Sequence, residues 1–460
     1  MIKDLLSPYK NFLSDHTELR AQVNTSRAIA ILGGNLVSNA RSEQSGISAR
    51  VYKNGVYGFA SGAEYSEDSI KSIIKAAGEN AVFLDSRVKA NKGALPPLGT
   101  GQRFTDGNIR DCEQKLYIDF AKEVDEYIEK KYPNLVSRSV QVRADSMEKL
   151  LRVNDGFDSY SLVPRSFIYV FLTAEASDGT NVELYKVFGG YGYFGDVFST
   201  PDKLFPGIDK LYENIMQKAN GVYADAGYRD VVMHPNLAGI LAHEAVGHTV
   251  EADLVLGGSV AAHNLNKQVA SELVTMVDFA HTLPDGSPAP LPIFVDDEGT
   301  PAEDAVLIKD GILTGYMNSR ETAEHFSMKP QGNARAYLFS DEPLIRMRNT
   351  AILPGTSSLE DMIASIDDGY FLTETNNGQA DTTGEFMFGI GMGYEIKNGK
   401  LGRAIRDTTI SGVAFDMLKT VDMLSSDMVW TCSGMCGKKQ PMPVGMGGPA
   451  VKCKVTIGGR

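Results

Sequence analysis

The sequence predicts an α+β fold in two domains. Residues 1–226 read as an N-terminal α/β domain of antiparallel sheet and helices. Residues 227–460 read as a curved or barrel-like, mostly antiparallel sheet that carries one histidine-bearing helix. Three observations predict this. Short apolar/polar alternations are separated by Asn-Gly and Asp-Gly pairs, the hairpin signature. Only a few stretches show a helical period. A helical stretch gives way to a new strand at Asp225-Ala226-Gly227.

In the first domain, strands are predicted within 21–24, 28–32, 46–52 and 56–60, with Asn54-Gly55 turning the last two into a hairpin. Ser66 caps a helix running to about Ala90, with Ile70, Ile73, Ile74, Ala77, Ala81 and Leu84 on one face. A link rich in proline and glycine over 93–101 leads to a second helix near 112–131. Strands fill 136–175, turning at Asp155-Gly156, with a further turn at Asp178-Gly179, and a third helix covers 204–220. Nothing in this half gathers catalytic residues, so its expected work is partner contact or one wall of a cleft.

The second domain opens with a strand at 228–233, and His234-Pro235 leads into the histidine helix, His234 itself being a strand-end or capping residue. Asp310-Gly311 and Asn398-Gly399 mark two hairpins, and short helices fit 319–326, 358–366 and 412–424. The acidic run Asp296-Asp297-Glu298-Gly299 reads as a solvated turn rather than a site for a hard cation.

At 460 residues, with 43% hydrophobic and 22% charged content, the chain is composed like an ordinary globular protein. A formal net charge of −13 argues against general nucleic-acid binding. No apolar run is long enough to span a bilayer, and the first residues lack the pattern of a signal peptide. Four cysteines do not make a disulfide scaffold, and Cys112 and Cys453 read as buried, inert thiols. The expected location is cytoplasmic.

The chemistry concentrates in His243-Glu244-Ala245-Val246-Gly247-His248. Two imidazoles with a carboxylate directly after the first are the parts of a hydrolytic zinc site. The spacing is unusual. Histidines at i and i+4 lie about 40° apart around a helix, whereas these, at i and i+5, lie about 140° apart. Both face one ion only if the helix breaks or gains a residue as a π turn, and Gly247 lets the backbone deform. A catalytic zinc needs a third ligand and an open position. The candidates are Cys432 and Cys436 in a late loop, and Glu251, three residues after His248.

These residues, with Tyr57-Gly58-Phe59-Ala60 after Asn54-Gly55, Asp296-Asp297-Glu298-Gly299-Thr300-Pro301, Gly332-Asn333-Ala334-Arg335, Arg346-Met347-Arg348-Asn349-Thr350 and Cys436-Gly437-Lys438, resemble the TldD/PmbA metallopeptidases over most of the chain. The resemblance implies zinc held by His243, His248 and Cys436, Glu244 as general base, and unfolded or short polypeptides as substrates. Glu251 is then expected beside the metal, accepting a histidine N–H. It also implies a homodimer, or a heterodimer in which this chain is the motif-bearing TldD-type subunit and a PmbA-type (TldE) paralogue lacks the motif. Cys436-Gly437-Lys438-Lys439-Gln440 is one glycine short of the family pattern. The rival is a closed structural zinc site of His243, His248, Cys432 and Cys436, in a binding module without catalysis.

Overall fold

The computed structural model describes residues 2–13, 16–105, 109–110 and 112–458. The first sheet has seven strands. Strands β1 (His16–Leu32) and β2 (Asn35–Lys53) form one long hairpin, and β3 (Val56–Gly62) returns along the proximal end of β2. Helix α1 (Glu67–Val88) follows, then β4 (Gly101–Phe104), helix α2 (Gln114–Lys131), β5 (Ser137–Val153), β6 (Phe157–Glu175) and β7 (Asn181–Tyr191). The order is β3-β2-β1-β5-β6-β4, with β7 also on β6. A short helix α3 (Phe194–Val197) and helix α4 (Phe205–Ala219) close this part.

The four short strands expected before residue 60 are thus three, two of them very long. The hairpin turns at Gly33-Gly34, both at positive φ, and its distal half is exposed on β2, so no buried face marks it in the sequence. The helices behave as their patterns predict. The Ser66 hydroxyl accepts the Ser69 N–H, and Ile70, Ile73, Ala77 and Ala81 are buried, whereas Leu84 is exposed.

Alternation along the long strands gives the sheet two different faces. On one face of β1, Leu19 and Ala21 pack beneath α1 and Ile29 and Ile31 beneath α2. On the other, Glu18, Arg20, Gln22 and Asn24 are polar, and Arg20, Gln22 and Asn24 bond to the second half of the chain. The Arg50 guanidinium bonds Glu18 at 2.8 and 2.9 Å and Glu298 at 2.7 Å. Arg20 donates to the carbonyls of Leu338 and Asp341, and Lys149 to Asp297 and the Ala336 carbonyl. The acidic run is therefore not a solvated turn. Asp296, Asp297 and Glu298 are 3%, 7% and 1% exposed, and the last two are paired with cations from the first sheet.

The second sheet has eleven strands. Strand β8 (Gly227–Met233) precedes helix α5 (Pro235–Leu241), a π turn (Ala242–Gly247), a 3₁₀ turn (His248–Val250) and α6 (Ala252–Leu256). Then come β9 (Met276–Phe279), β10 (Ala305–Lys309), β11 (Ile312–Leu313), α7 (Arg320–His325), a small β12 (Ala334–Arg335) and β13 (Leu344–Ile345) pair, β14 (Asn349–Ile352) and α8 (Leu359–Ala364). The chain ends with β15 (Asp368–Ala380), β16 (Glu385–Lys397), β17 (Lys400–Ile405), β18 (Thr408–Val413), α9 (Ala414–Lys419), β19 (Met423–Cys436) and β20 (Met442–Ile457). Strands β8, β15, β16, β18 and β20 close a five-stranded barrel, because β8 pairs with both β15 and β20. The pairings are mostly antiparallel; β8–β15 and β14–β20 are parallel. No helix of the described residues is long and apolar enough to cross a membrane.

Candidate metal centre

Strand β8 delivers the chain to His234, whose ring Nδ1 accepts the Asn236 N–H at 3.3 Å and caps α5, with Pro235 in the first turn. Leu237, Ala238 and Leu241 are buried in the main core of this half. The helix lies close on β20: a Cβ on Gly239 would meet the Gly447 backbone at 3.1 Å. With the helix held on the barrel, the extra residue of the motif is absorbed as the π turn over Ala242–Gly247, and a 3₁₀ turn begins at His248. A Cβ on Gly247 would strike Met347 Sδ at 2.2 Å, so glycine is needed there for space.

The π turn brings His243 and His248 together, with ring centroids 5.3 Å apart and planes at 82°. Cys436, at the end of β19, completes the group. One ligand atom from each of His243, His248 and Cys436 lies within 4.8 Å of the others, and Cys436 Sγ is 3.3 Å from His248 Nε2. Glu244 faces the same space, its carboxylate 3.9 Å from His243 Nε2 and 3.8 Å from His248 Nε2. Glu251 lies behind His248: the Nδ1–H of His248 donates to its carboxylate at 2.7 Å. Lys438 Nζ stands 3.2 Å from Glu251 and 3.0 Å from both oxygens of Asp253. Lys438 was legible only as part of Cys436-Gly437-Lys438.

The donor set fits a soft-to-borderline divalent ion. His243 is buried, and among the described residues neither ring nitrogen finds a partner at hydrogen-bond geometry, although the Cys436 sulfur lies within 4.8 Å of the ring, a costly arrangement unless a ligand fills the space. Burial pushes the Cys436 thiol up, but His243 and His248 outweigh it and bring its pKa to about 3, which favours the thiolate that binds metal. Burial likewise opposes charge on His248, yet Cys436 and Glu251 carry its pKa up to about 10. A metal ion would take the place of the proton these groups share. Two imidazoles and a thiolate are the softness and count of a three-ligand zinc site.

Cys432 does not join the group. It packs with Phe167 and Leu291, and burial pushes its thiol up to about 11. The closed four-ligand site is therefore not favoured. Cys453 is buried, as expected, while Cys112 is only partly so.

Residues 226–459 match the family model described as PmbA/TldA metallopeptidase C-terminal domain, and residues 17–81 match PmbA/TldA metallopeptidase domain 1. The chain is 32% identical over 460 residues to a metalloprotease of Methanothermobacter thermautotrophicus, covering 97% of this chain and 96% of that one. It is 29% identical to a zinc metalloprotease TldD homolog of Saccharolobus solfataricus over 90% of each chain. The solved structure of TldE from Thermococcus kodakarensis shares the fold, with a TM-score of 0.76 over 99% of both chains at 16% identity.

Proposed function

The chain belongs to the PmbA/TldD family of metallopeptidases, and on that footing we propose that it is a zinc-dependent peptidase acting on unfolded or short polypeptides. One observation carries the reading: His243, His248 and Cys436 converge on one point, and the Glu244 carboxylate stands within 4 Å of both imidazoles. His243, His248 and Cys436 would hold the ion. When bound, zinc supplies a Lewis acid that polarises a carbonyl and makes a neighbouring water more acidic. Glu244 is the general base: its carboxylate takes a proton from the attacking water and returns it to the leaving amine. Glu251 accepts from His248 Nδ1–H, which fixes the tautomer and leaves the Nε2 lone pair facing the cluster.

A groove of about 680 Å³ supports a polypeptide substrate. Its walls include Tyr185 and Gly190 of β7 and Trp430 of β19. Among the described residues β7 pairs with no strand except β6, so one of its edges is open to an extended chain, whereas β19 is partly engaged, Ser425 bridging Ser357 and Arg165 donating to the Cys432 and Gly434 carbonyls. Glu244 and the three ligand residues are not in its lining; Asn236 and Ile240, which are, precede Glu244 by eight and four residues on the segment that runs from α5 into the π turn. Backbone pairing of this kind suits broad sequence tolerance. The assembly we assign is a homodimer, or a heterodimer with a PmbA-type (TldE) paralogue.

The test is zinc content together with hydrolysis of unstructured peptides, for wild type and Glu244→Gln side by side. Peptide cleavage by the zinc-loaded wild type alone supports the reading. A zinc-loaded wild type that cleaves none of them overturns it.

A further inference from the structure

The loop that presents Cys436 has little structure of its own. Between the end of β19 and the start of β20, its one internal backbone bond runs from Gln440 N–H to the Lys438 carbonyl. Lys439 sits at φ 57, in the left-handed region that suits glycine. Yet the sulfur must stand at about 2.3 Å from a zinc ion, and a workable site tolerates only about 0.2 Å of error. The β19–β20 ladder, in which Cys436 pairs with Met442, brings the sulfur to the edge of the loop, and groups outside the loop must set the rest of its register.

We infer that Arg346 is the positioning residue for Cys436. Its guanidinium reaches three carbonyls of this loop: Nη2 donates to Cys436 at 2.8 Å, and Nη1 to Gln440 at 2.6 Å and to Lys438 at 3.2 Å. A planar fork of donors can span carbonyls at alternate loop positions, which an ammonium or a single amide cannot do at once. The arrangement is expensive. Arg346 is fully buried, and among the described residues no carboxylate lies within ion-pair distance of it. Arg348, two residues on and equally buried, is matched by Asp278 at 2.8 Å. The unmatched cation is spent on the one loop that carries a metal ligand. From the other side, Lys438 ties the same loop to Glu251 and Asp253, beside His248. Cys436 is thus held from its backbone by a residue 90 positions away, before any ion arrives.

The inference rests on the reading of His243, His248 and Cys436 as a metal site. Arg346→Lys keeps the charge and loses the fork. Its zinc Kd should rise about 10–100-fold, the usual effect of losing a group that orients a ligand. With cobalt in place of zinc, the sulfur-to-cobalt charge-transfer absorption should weaken. Arg348→Lys is the control for disturbing a buried arginine, and should lower the melting temperature while keeping zinc Kd within about threefold. A folded Arg346→Lys with wild-type zinc affinity and cobalt spectrum overturns the inference, as does an equal loss of affinity in Arg348→Lys. If Arg346→Lys does not fold, hydrogen exchange on wild type decides. The Gln440 amide, which has a backbone acceptor in this loop, should keep its protection when zinc is removed, and a loop that opens without the ion overturns the inference. A wild type that takes up neither metal removes the metal-site reading itself, a failure visible without any substitution.

Discussion

The Nδ1–H of His248 donates to the Glu251 carboxylate at 2.7 Å, across the point where the helix ends and the backbone turns extended. Glu251 is fully buried, and its second oxygen has no hydrogen-bond partner, so the carboxylate is committed to this imidazole and to Lys438. Glu251→Gln should fold and weaken zinc binding by about 10–100-fold. Zinc competition against a chromogenic chelator measures it. Unchanged affinity would mean that His248 needs no such support.

Among the described residues Glu244 makes no hydrogen bond that holds the fold, and its side chain is 29% exposed. Glu244→Gln should therefore keep wild-type stability and zinc content. Peptide hydrolysis should fall by about a hundredfold to ten-thousandfold, the range of a general base. Near-normal turnover by a zinc-loaded variant would remove Glu244 from the mechanism.

On the proposed reading Cys436→Ser takes a thiolate from a three-ligand site, and it should nearly abolish zinc binding at micromolar metal. Cys432→Ser changes a buried side chain beside Phe167 and Leu291, so it should cost stability and leave zinc affinity near wild type. Equal losses of affinity would restore the closed four-ligand site.

How much of this was legible in the chain follows from distance along it. His243 and His248 lie within one hexapeptide, so the need for either a π turn or a break could be read from helical geometry. The hairpins at Asn54-Gly55, Asp310-Gly311 and Asn398-Gly399 are present, with each asparagine or aspartate at positive φ. Long-range features were not legible. The barrel closes because β8 pairs with strands more than a hundred residues on, and no local pattern encodes that. The acidic run looked solvated because its cations, Arg20, Arg50 and Lys149, come from a sheet built far earlier in the sequence. Arg346 was seen only as part of a family motif. Its acceptors are backbone carbonyls, which leave no signature in a sequence.

Glu18 lends itself to a pH test. Burial pushes its carboxyl up, but Arg50 and His16 outweigh burial and hold the pKa at about 2, against an ordinary 4.5. A folded-state pKa below the unfolded one adds stability above pH 4.5, lost as pH falls from there through about 2. The contribution is on the order of 3 kcal/mol. Glu18→Gln should be less stable than wild type at pH 7, with the gap in urea midpoint closing across that window. A gap independent of pH would show that the Arg50 pair adds packing and not charge.

Gly247 sets the last expectation, because the π turn leaves no room above it. A Cβ there would stand 2.2 Å from Met347 Sδ, 3.2 Å from its Cε and 3.3 Å from the Ala242 carbonyl oxygen. A flexible thioether can often step aside, but Met347 is fully buried in the main core. Its neighbours are Arg346 and Arg348, both buried and each bonded to several backbone carbonyls, so the backbone behind it has little freedom. Gly247→Ala must therefore shift either Met347 or the turn, at a cost of about 1–3 kcal/mol. Shifting the turn rotates His248 away from His243, since only the widened turn puts residues five apart on one side. Gly247→Ala should thus lose zinc affinity by about tenfold or more, beyond the effect of an equally destabilising substitution elsewhere in this core. Melting temperature and zinc Kd, measured together, separate the two effects. A variant that melts lower but binds zinc as tightly as wild type would show that Met347 yields and that the turn holds without its glycine.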